Sequence, residues 1–331
     1  MGRRGPPCPR CAAVPERETI RDALVALSGP LDIAVTLEPL RRNDDLLDRW
    51  DGRVMRRTLR RATGDSFAYA ALPQGDLKSP AFRVETGKRA DLEIARHGAA
   101  TSVLSAGPAL ARLAATDPVI ATLARRHHGV GMVRHPDMFL ALLRAISAQQ
   151  VNLRWAATTR SRLAAAFGER HVVAGGEVYS LDPARIAGLS VLDVRALQFT
   201  TRKAEYIIEA ATTIAEGHLD TDQLRTLSDA EVVARLTALR GIGVWSAEWV
   251  LARTLGRPVC VAGDLGVRRV VAQAYLGVSV VDEATVRRLT AHWGDAAAAA
   301  QWLLFRAADA GDDLRALPSE LREGHLTDST V

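Results

Sequence analysis

Lysine is nearly missing from a chain that is nonetheless basic. Of the 43 basic residues among 331, only Lys78, Lys88 and Lys203 are lysines, and the net charge is +5. So few amines leave little room for Schiff-base chemistry. Cysteine is equally scarce: Cys8, Cys11 and Cys260 cannot supply the four thiolates of an iron–sulfur cluster. Cys8-Pro-Arg-Cys11 has metal-knuckle spacing, but no second Cys or His pair follows it at usable spacing. It reads either as half a zinc site or as a loose tail. No apolar run approaches the roughly 18 residues that cross a bilayer. The opening "MGRRGPPCPRCAAVPERE" lacks the apolar segment of a secretion signal, so a cytoplasmic protein without a membrane partner is expected. No Ser or Thr stands at the acylation spacing after Gly2. A glycine-rich phosphate loop after a strand is also lacking, which argues against a nucleotide-binding metabolic α/β enzyme.

What is present points to an α+β chain of two or three domains, since 331 residues exceed one typical domain. Hydrophobic residues at 48% suffice for packed cores, and a pI of about 9.5 favours a polyanionic partner. Residues 1–30 read as an extension with one short helix, "ETIRDALVAL". Residues 31–113 read as a small α/β domain of short β-like runs, "DIAVTLE", "SFAYAAL", "AFRVE" and "DLEIARHG", parted by Gly, Pro and Asp turns. Among them "GRVMRRTLRR" carries Arg53, Arg56, Arg57, Arg60 and Arg61, either a solvated strand face or a phosphate-contacting one. From about Gly107 the apolar spacing is helical, giving a larger all-α region at 114–318 and a tail at 319–331.

The most informative stretch is "LRGIGVWSAEWV", Leu239 to Val250. Ser228 and Glu231 have capping-box spacing, and Val232, Val233, Leu236 and Leu239 then form one apolar face. Gly241-Ile242-Gly243 lets the chain reverse within very few residues, and a second helix begins at about Val244. The N–H groups of that helix, beside bare glycine backbone, make a candidate anion site. An ordinary αα-hairpin turn would carry the same signature. On the second helix Ala247, Val250, Leu251 and Thr254 share one side, and Trp245 and Trp249 lie nearly opposite. The indoles are then either buried against another helix or the aromatic wall of a cleft.

Further on, Gly263-Asp264 precedes Val267, Val270, Val271 and Ala274 at helical spacing. Asp264 is a natural N-cap, and a carboxylate there could also face a cleft in its ionised form. The two roles are compatible.

Hairpin Leu239–Gly243, Trp245-Ser-Ala247 and the later Gly263-Asp264 together resemble the helix–hairpin–helix DNA glycosylase superfamily. "LLRAISAQQVNLRWA" and "GLSVLDVRALQFTTRKAEYIIEAA" are similar to two further segments of that family, and the resemblance spans about Asp117 to Ala308. More faintly, the region from "DIAVTLEPLRR" is similar to the N-terminal domain of the alkylation-repair branch, 3-methyladenine DNA glycosylase II. The resemblance implies a TBP-like N-terminal domain, then two helical subdomains with the hairpin motif at 229–255. It implies Asp264 as the catalytic aspartate, Trp245, Trp249 and Phe305 as base-pocket residues, and Gln150 as the wedge into the base stack. Gly241, Gly243, Val244 and Arg268 would meet DNA, and the carbonyls of Thr237, Leu239 and Ile242 would hold a monovalent cation. No other cofactor and no iron–sulfur cluster is expected. Trp245 stands where bifunctional members carry a lysine.

The implied protein is a monomeric, monofunctional glycosylase of base excision repair. It would flip alkylated purines of the 3-methyladenine and 7-methylguanine type out of double-stranded DNA and hydrolyse their N-glycosidic bonds. A cationic alkylated base is a good leaving group and a cation–π partner for tryptophan, and ionised Asp264 would stabilise the oxocarbenium-like sugar. Two departures bear on the pocket: alanines at 296–300 follow Trp293, and residue 265 is Leu where an aromatic can occur. The alternatives are a non-catalytic helix–hairpin–helix DNA-binding protein and a glycosylase of another specificity.

Overall fold

The computed structural model describes residues 21–43, 45–105 and 107–319. Its N-terminal part is a five-stranded antiparallel sheet in the order β1-β5-β4-β3-β2, built from β1 (Arg21–Ala26), β2 (Asp48–Trp50), β3 (Met55–Arg60), β4 (Ser66–Gly75) and β5 (Pro80–Thr86). Helices α1 (Ile33–Asn43) and α2 (Leu92–Ala100) complete this domain, whose core includes Leu37, Met55, Tyr69, Phe82 and Val84.

Several short segments differ from the sequence expectation. The helix expected at "ETIRDALVAL" lies partly outside the described residues, and its remainder is β1, paired along its length with β5. Buried Val25 beside exposed Leu24 is strand periodicity. The sheet therefore begins at residue 21 rather than 31. "DIAVTLE", expected to be β-like, opens α1: Asp32 caps it by accepting from Val35 N at 3.0 Å. Buried Ile33, Thr36, Leu37 and Leu40 recur at three- and four-residue spacing. "DLEIARHG" is α2 and turns Ala95, Gly98 and Ala99 inward. A short run offers too few residues to separate a period of 2 from one of 3.6.

The arginine-rich segment is β3 and its flanks, and only part of it is a solvated face, Arg53 and Arg60 being exposed. Arg56 and Arg57 are buried. Arg56 pairs with Asp51 at 2.6 Å and donates to the carbonyls of Val173 and Ala174 at 3.1 and 2.8 Å. Arg57 lies 2.8 Å from Asp48, Arg60 pairs with Asp182, and Arg61 pairs with Asp91. These charges knit the sheet domain together and fasten it to the later part of the chain.

The remainder is helical with two exceptions. The first is a two-stranded pair, β6 (Val103–Ser105) with β7 (Gly131–Val133), and between them come α3 (Gly107–Ala114) and α4 (Pro118–Arg126). Next come α5 (Met138–Ala148) and α6 (Leu153–Phe167). The second exception is a hairpin of β8 (Glu169–Val173) and β9 (Gly176–Ser180) that packs on β3 and β4. Its turn residues Ala174 and Gly175 both have positive φ, as tight hairpins require. The chain continues through α7 (Pro183–Ala187), α8 (Val191–Ala196), α9 (Thr201–Ala215), α10 (Thr221–Thr226), α11 (Asp229–Thr237) and α12 (Val244–Val250). One π-helical turn, Leu251–Leu255, extends α12, and α13 (Leu265–Leu276), α14 (Glu283–Thr290) and α15 (Ala297–Asp309) finish the fold. Two helical cores result. One gathers α5 to α9 with α11, and the other gathers α3, α4, α13, α14 and α15.

Candidate active site

Helix α12 divides the two cores, and its sequence explains why. Ala247, Val250 and Leu251 join Val232 and Leu236 of α11 in the first core. Trp245 and Trp249, on the opposite side, stay half-buried and pack against the second core. The helix before the turn is capped as expected, Ser228 and Glu231 exchanging bonds in a capping box. The two glycines do different work. Gly241 has φ +81°, and any side chain there would run into the Tyr206 ring. Gly243 is the extended N-cap of α12, is exposed, and faces open space. Val244 beside it is also exposed. The bare, accessible backbone needed by an anion is therefore at Gly243, while Gly241 makes the turn.

Asp264 caps α13, its Oδ1 accepting from Val267 N at 3.0 Å. Two glycines bring aromatic groups up to it. A side chain at 263 would meet Glu283 Oε2 at 3.1 Å and Trp245 Cβ at 3.3 Å, and one at 266 would meet both Asp264 Oδ1 and the Phe305 ring at 3.0 Å. Asp264, Trp245 and Phe305 thus converge across elements 60 residues apart in the chain. Phe305 stands edge-on to Trp302, with ring centroids 6.2 Å apart. The alanine run is mostly core, buried at the start of α15, which packs on α13, and Trp293 is a core residue whose Nε1 donates to Tyr275 Oη at 3.0 Å. Trp302 and Phe305 lie farther along α15. Leu265 is half exposed.

The loop between α5 and α6 adjoins the hairpin. Gln149 Nε2 donates to Gly241 O at 2.6 Å, and Lys203 Nζ donates to the carbonyls of Ser147 and Gln149 at 2.9 and 2.7 Å. Pinned from both sides, the chain places Gln150 at φ +55° and exposed. Val151, Leu153 and Trp155 are exposed next to it. Arg268 Nε donates to Val281 O at 2.7 Å.

Other titratable groups near α12 are structural. Glu248 is buried, and burial pushes its carboxyl up although Arg287 pairs with it at 2.7 Å. Burial raises the Cys260 thiol to about 11, which leaves it protonated and unreactive. Among the described residues no group of three or more His, Cys, Asp or Glu could hold a metal ion, and Cys8 and Cys11 lie outside them. Sequence reasoning passed over Arg253 and Trp302. Arg253 follows Trp245 and Trp249 at four-residue intervals and completes their stripe, its guanidinium 5.4 Å from the Trp249 ring centroid and 4.6 Å from that of Trp302. That spacing was visible in the sequence. Nothing in the sequence marked Trp302 as Arg253's second ring.

Residues 143–294 match the family described as HhH-GPD superfamily base excision DNA repair protein. The chain is 33% identical over 147 residues to DNA-3-methyladenine glycosylase of Bacillus subtilis, covering 44% of this chain and 48% of that protein. It is 30% identical over 129 residues to DNA-3-methyladenine glycosylase 1 of Schizosaccharomyces pombe, covering 38% and 53%. The chain thus spans about half the length of the relatives it matches. A solved structure of 3-methyladenine DNA-glycosylase from Archaeoglobus fulgidus shares the fold at a TM-score of 0.74 and 23% identity, over 88% of this chain and 99% of that one. The structure of Clostridium acetobutylicum 8-oxoguanine glycosylase/lyase in complex with double-stranded DNA shares the fold at a TM-score of 0.60 and 15% identity, over 81% of this chain and 99% of that one. The capped hairpin and the helix-capping Asp264 both lie within the stretch that matches the HhH-GPD superfamily of base excision DNA repair proteins, the relatives similar to it in sequence carry the name DNA-3-methyladenine glycosylase, and the fold is shared with the Archaeoglobus fulgidus glycosylase.

Proposed function

We propose that this protein is a monofunctional DNA glycosylase that hydrolyses the N-glycosidic bond of alkylated purines in double-stranded DNA. The observation that carries the reading is the convergence of Asp264, Trp245 and Phe305 through Gly263 and Gly266. Hairpin N–H groups at Gly243 and Val244 hold a phosphate, and Gln150, on its pinned loop, fills the stack as the damaged nucleotide swings out at a cost of a few kcal/mol. The base stacks on Trp245, Trp249 and Phe305, where a positive charge on an alkylated ring adds cation–π attraction. As the bond breaks, the Asp264 carboxylate faces the positive sugar and orients or deprotonates the attacking water. The cap bond from Val267 uses one carboxylate oxygen. The other is available for that step.

Hydrolysis without lyase activity is supported by the lysines. Lys203 is the one in the helical region, and its amine is committed to two carbonyls of the wedge loop. The carbonyls of Thr237, Leu239 and Ile242 fit a monovalent cation in donor type. Leu239 O already accepts from Ile242 N at 3.1 Å, and one lone pair remains. Such a cation would add positive charge at the phosphate site. We take the protein to act as a monomer, and no helix among the described residues is long and apolar enough to cross a membrane.

Incubation with methylated duplex DNA, followed by mass spectrometry of every released base, tests the reading. Release of 3-methyladenine or 7-methylguanine, with strands nicked only after added base or heat, is expected. A borohydride-trapped protein–DNA adduct would overturn the monofunctional part. Binding to methylated DNA with no base released would leave a non-catalytic binder.

A further inference from the structure

A chain of partly buried polar contacts ties Trp249 and Trp302 to the N-terminal sheet, and the excision chemistry makes no use of it. Arg253, in the turn that extends α12, lies over Trp249 and Trp302. Its Nη2 is 3.1 Å from His135 Nε2, and His135 Nδ1 is 3.1 Å from Asp48 Oδ2 in β2. The backbone reinforces the link, His135 N donating to Arg253 O at 2.8 Å. Asp48 is itself held by Arg57 at 2.8 Å and by Arg144 at 2.7 Å.

These contacts dictate the histidine's state. Guanidinium nitrogens only donate, so His135 Nε2 accepts, and the ring proton sits on Nδ1 and goes to Asp48. Burial and the nearby Arg144 cation push His135 down to about 3, despite the opposing pull of Asp48. The neutral ring that Arg253 needs is therefore the form present at neutral pH. Arg253 Nε is buried without a partner, so the His135 contact and the two rings are what orient its plane. Without His135, a buried donor would be left unmet, and the guanidinium would turn away from the rings towards water.

We propose that Asp48, His135 and Arg253 form a positioning relay through which the N-terminal sheet sets the orientation of Trp249 and Trp302. The proposal rests on the reading of Trp249 as a wall of the base pocket. In that pocket a small rotation of an indole displaces the stacked base relative to Asp264. The relay touches neither base nor sugar, so its loss shows in the rate of excision and not in the binding of undamaged duplex.

The test uses the full chain labelled with 5-fluorotryptophan, whose six tryptophans are assigned by single Trp→Phe variants. Arg253→Met and His135→Phe are expected to move the fluorine resonances of Trp249 and Trp302 while those of Trp50 and Trp155 stay in place. Single-turnover excision of a methylated purine should fall about tenfold, with affinity for undamaged duplex within about twofold. His135→Gln, which can donate to Asp48 and accept from Arg253, should restore both readouts. Unmoved Trp249 and Trp302 resonances in folded Arg253→Met overturn the relay, as does an equal shift of all six. If His135→Phe fails to fold, Arg253→Met and His135→Gln still decide. Wild-type protein that releases no base would refute the excision reading alone, since the resonances judge the relay without activity.

Discussion

Asp264 carries two roles that substitution separates. Asp264→Asn keeps the volume and an oxygen that can cap, and removes the charge. Base release should be lost while binding to undamaged duplex stays near wild type, and a single-turnover rate within a few fold of wild type would overturn the catalytic role. Asp264→Ala adds the loss of the cap, about 1 kcal/mol of stability. The hairpin glycines separate in the same way. Gly241→Ala meets both a left-handed backbone and the Tyr206 ring, so it should destabilise the fold by more than about 1 kcal/mol. Gly243→Asp has normal φ and open space. It should fold and melt normally yet bind DNA far more weakly, because a carboxylate then stands where phosphate approaches. Unchanged affinity in folded Gly243→Asp would remove the phosphate contact from that glycine.

At the scale of elements, strand β3 shows that a row of arginines can be an internal fastening. Arg56 holds the β8–β9 turn through two carbonyls as well as pairing with Asp51. Arg56→Met leaves those carbonyls unmet, so it should cost about 1–3 kcal/mol and lower the thermal midpoint. The salt dependence of DNA binding should not change. A shallower dependence of binding on salt concentration in this variant would instead return Arg56 to the DNA interface. Helix α12 sets the opposite example. Its aliphatic side joins one core while its indoles, only half-buried, meet the other. Trp245→Ala and Trp249→Ala should therefore reduce excision more than binding to undamaged duplex. If they act only as core residues, each truncation costs about 3–5 kcal/mol, and the fraction that stays folded would excise normally.

Across the whole molecule, the sheet and the helical cores meet at buried charges. Asp45 joins Arg144 and Arg160, and Asp48 joins Arg57, Arg144 and His135. These arginines outweigh burial and hold both aspartates below the usual carboxylate range. Their stabilisation is present above about pH 4 and is lost as pH falls further. His135 acts earlier. Its pKa is about 3 in the fold and about 6.5 in the unfolded chain, so between these values the unfolded chain binds the extra proton. Stability should therefore decline as pH falls from about 6.5, by up to about 1.4 kcal/mol per pH unit for that proton. Denaturation midpoints measured from about pH 4.5 to 7 should show a flatter profile for His135→Gln than for wild type. Parallel profiles would mean that His135 is not held neutral by the fold.

Local chemistry was legible in the sequence. Ser228 with Glu231, Gly241 with Gly243, and Asp264 before its valines each state their structure within a few residues, because caps and turns satisfy backbone groups near at hand. The opposed faces of α12 came from helical spacing alone, and that spacing also contained Arg253. Other features depended on partners far along the chain. Whether "DIAVTLE" became strand or helix was decided by the packing of Leu37 and Leu40 in the sheet domain's core, and β1 exists because β5 lies beside it. Arg56 and Arg57 look like surface residues until Val173, Ala174 and Asp48 arrive to meet them. The meeting of Asp264 with Phe305, and of Asp48 with Arg253 through His135, belongs to tertiary structure for the same reason. A residue's periodicity states which way it faces, but only the folded chain supplies what it faces.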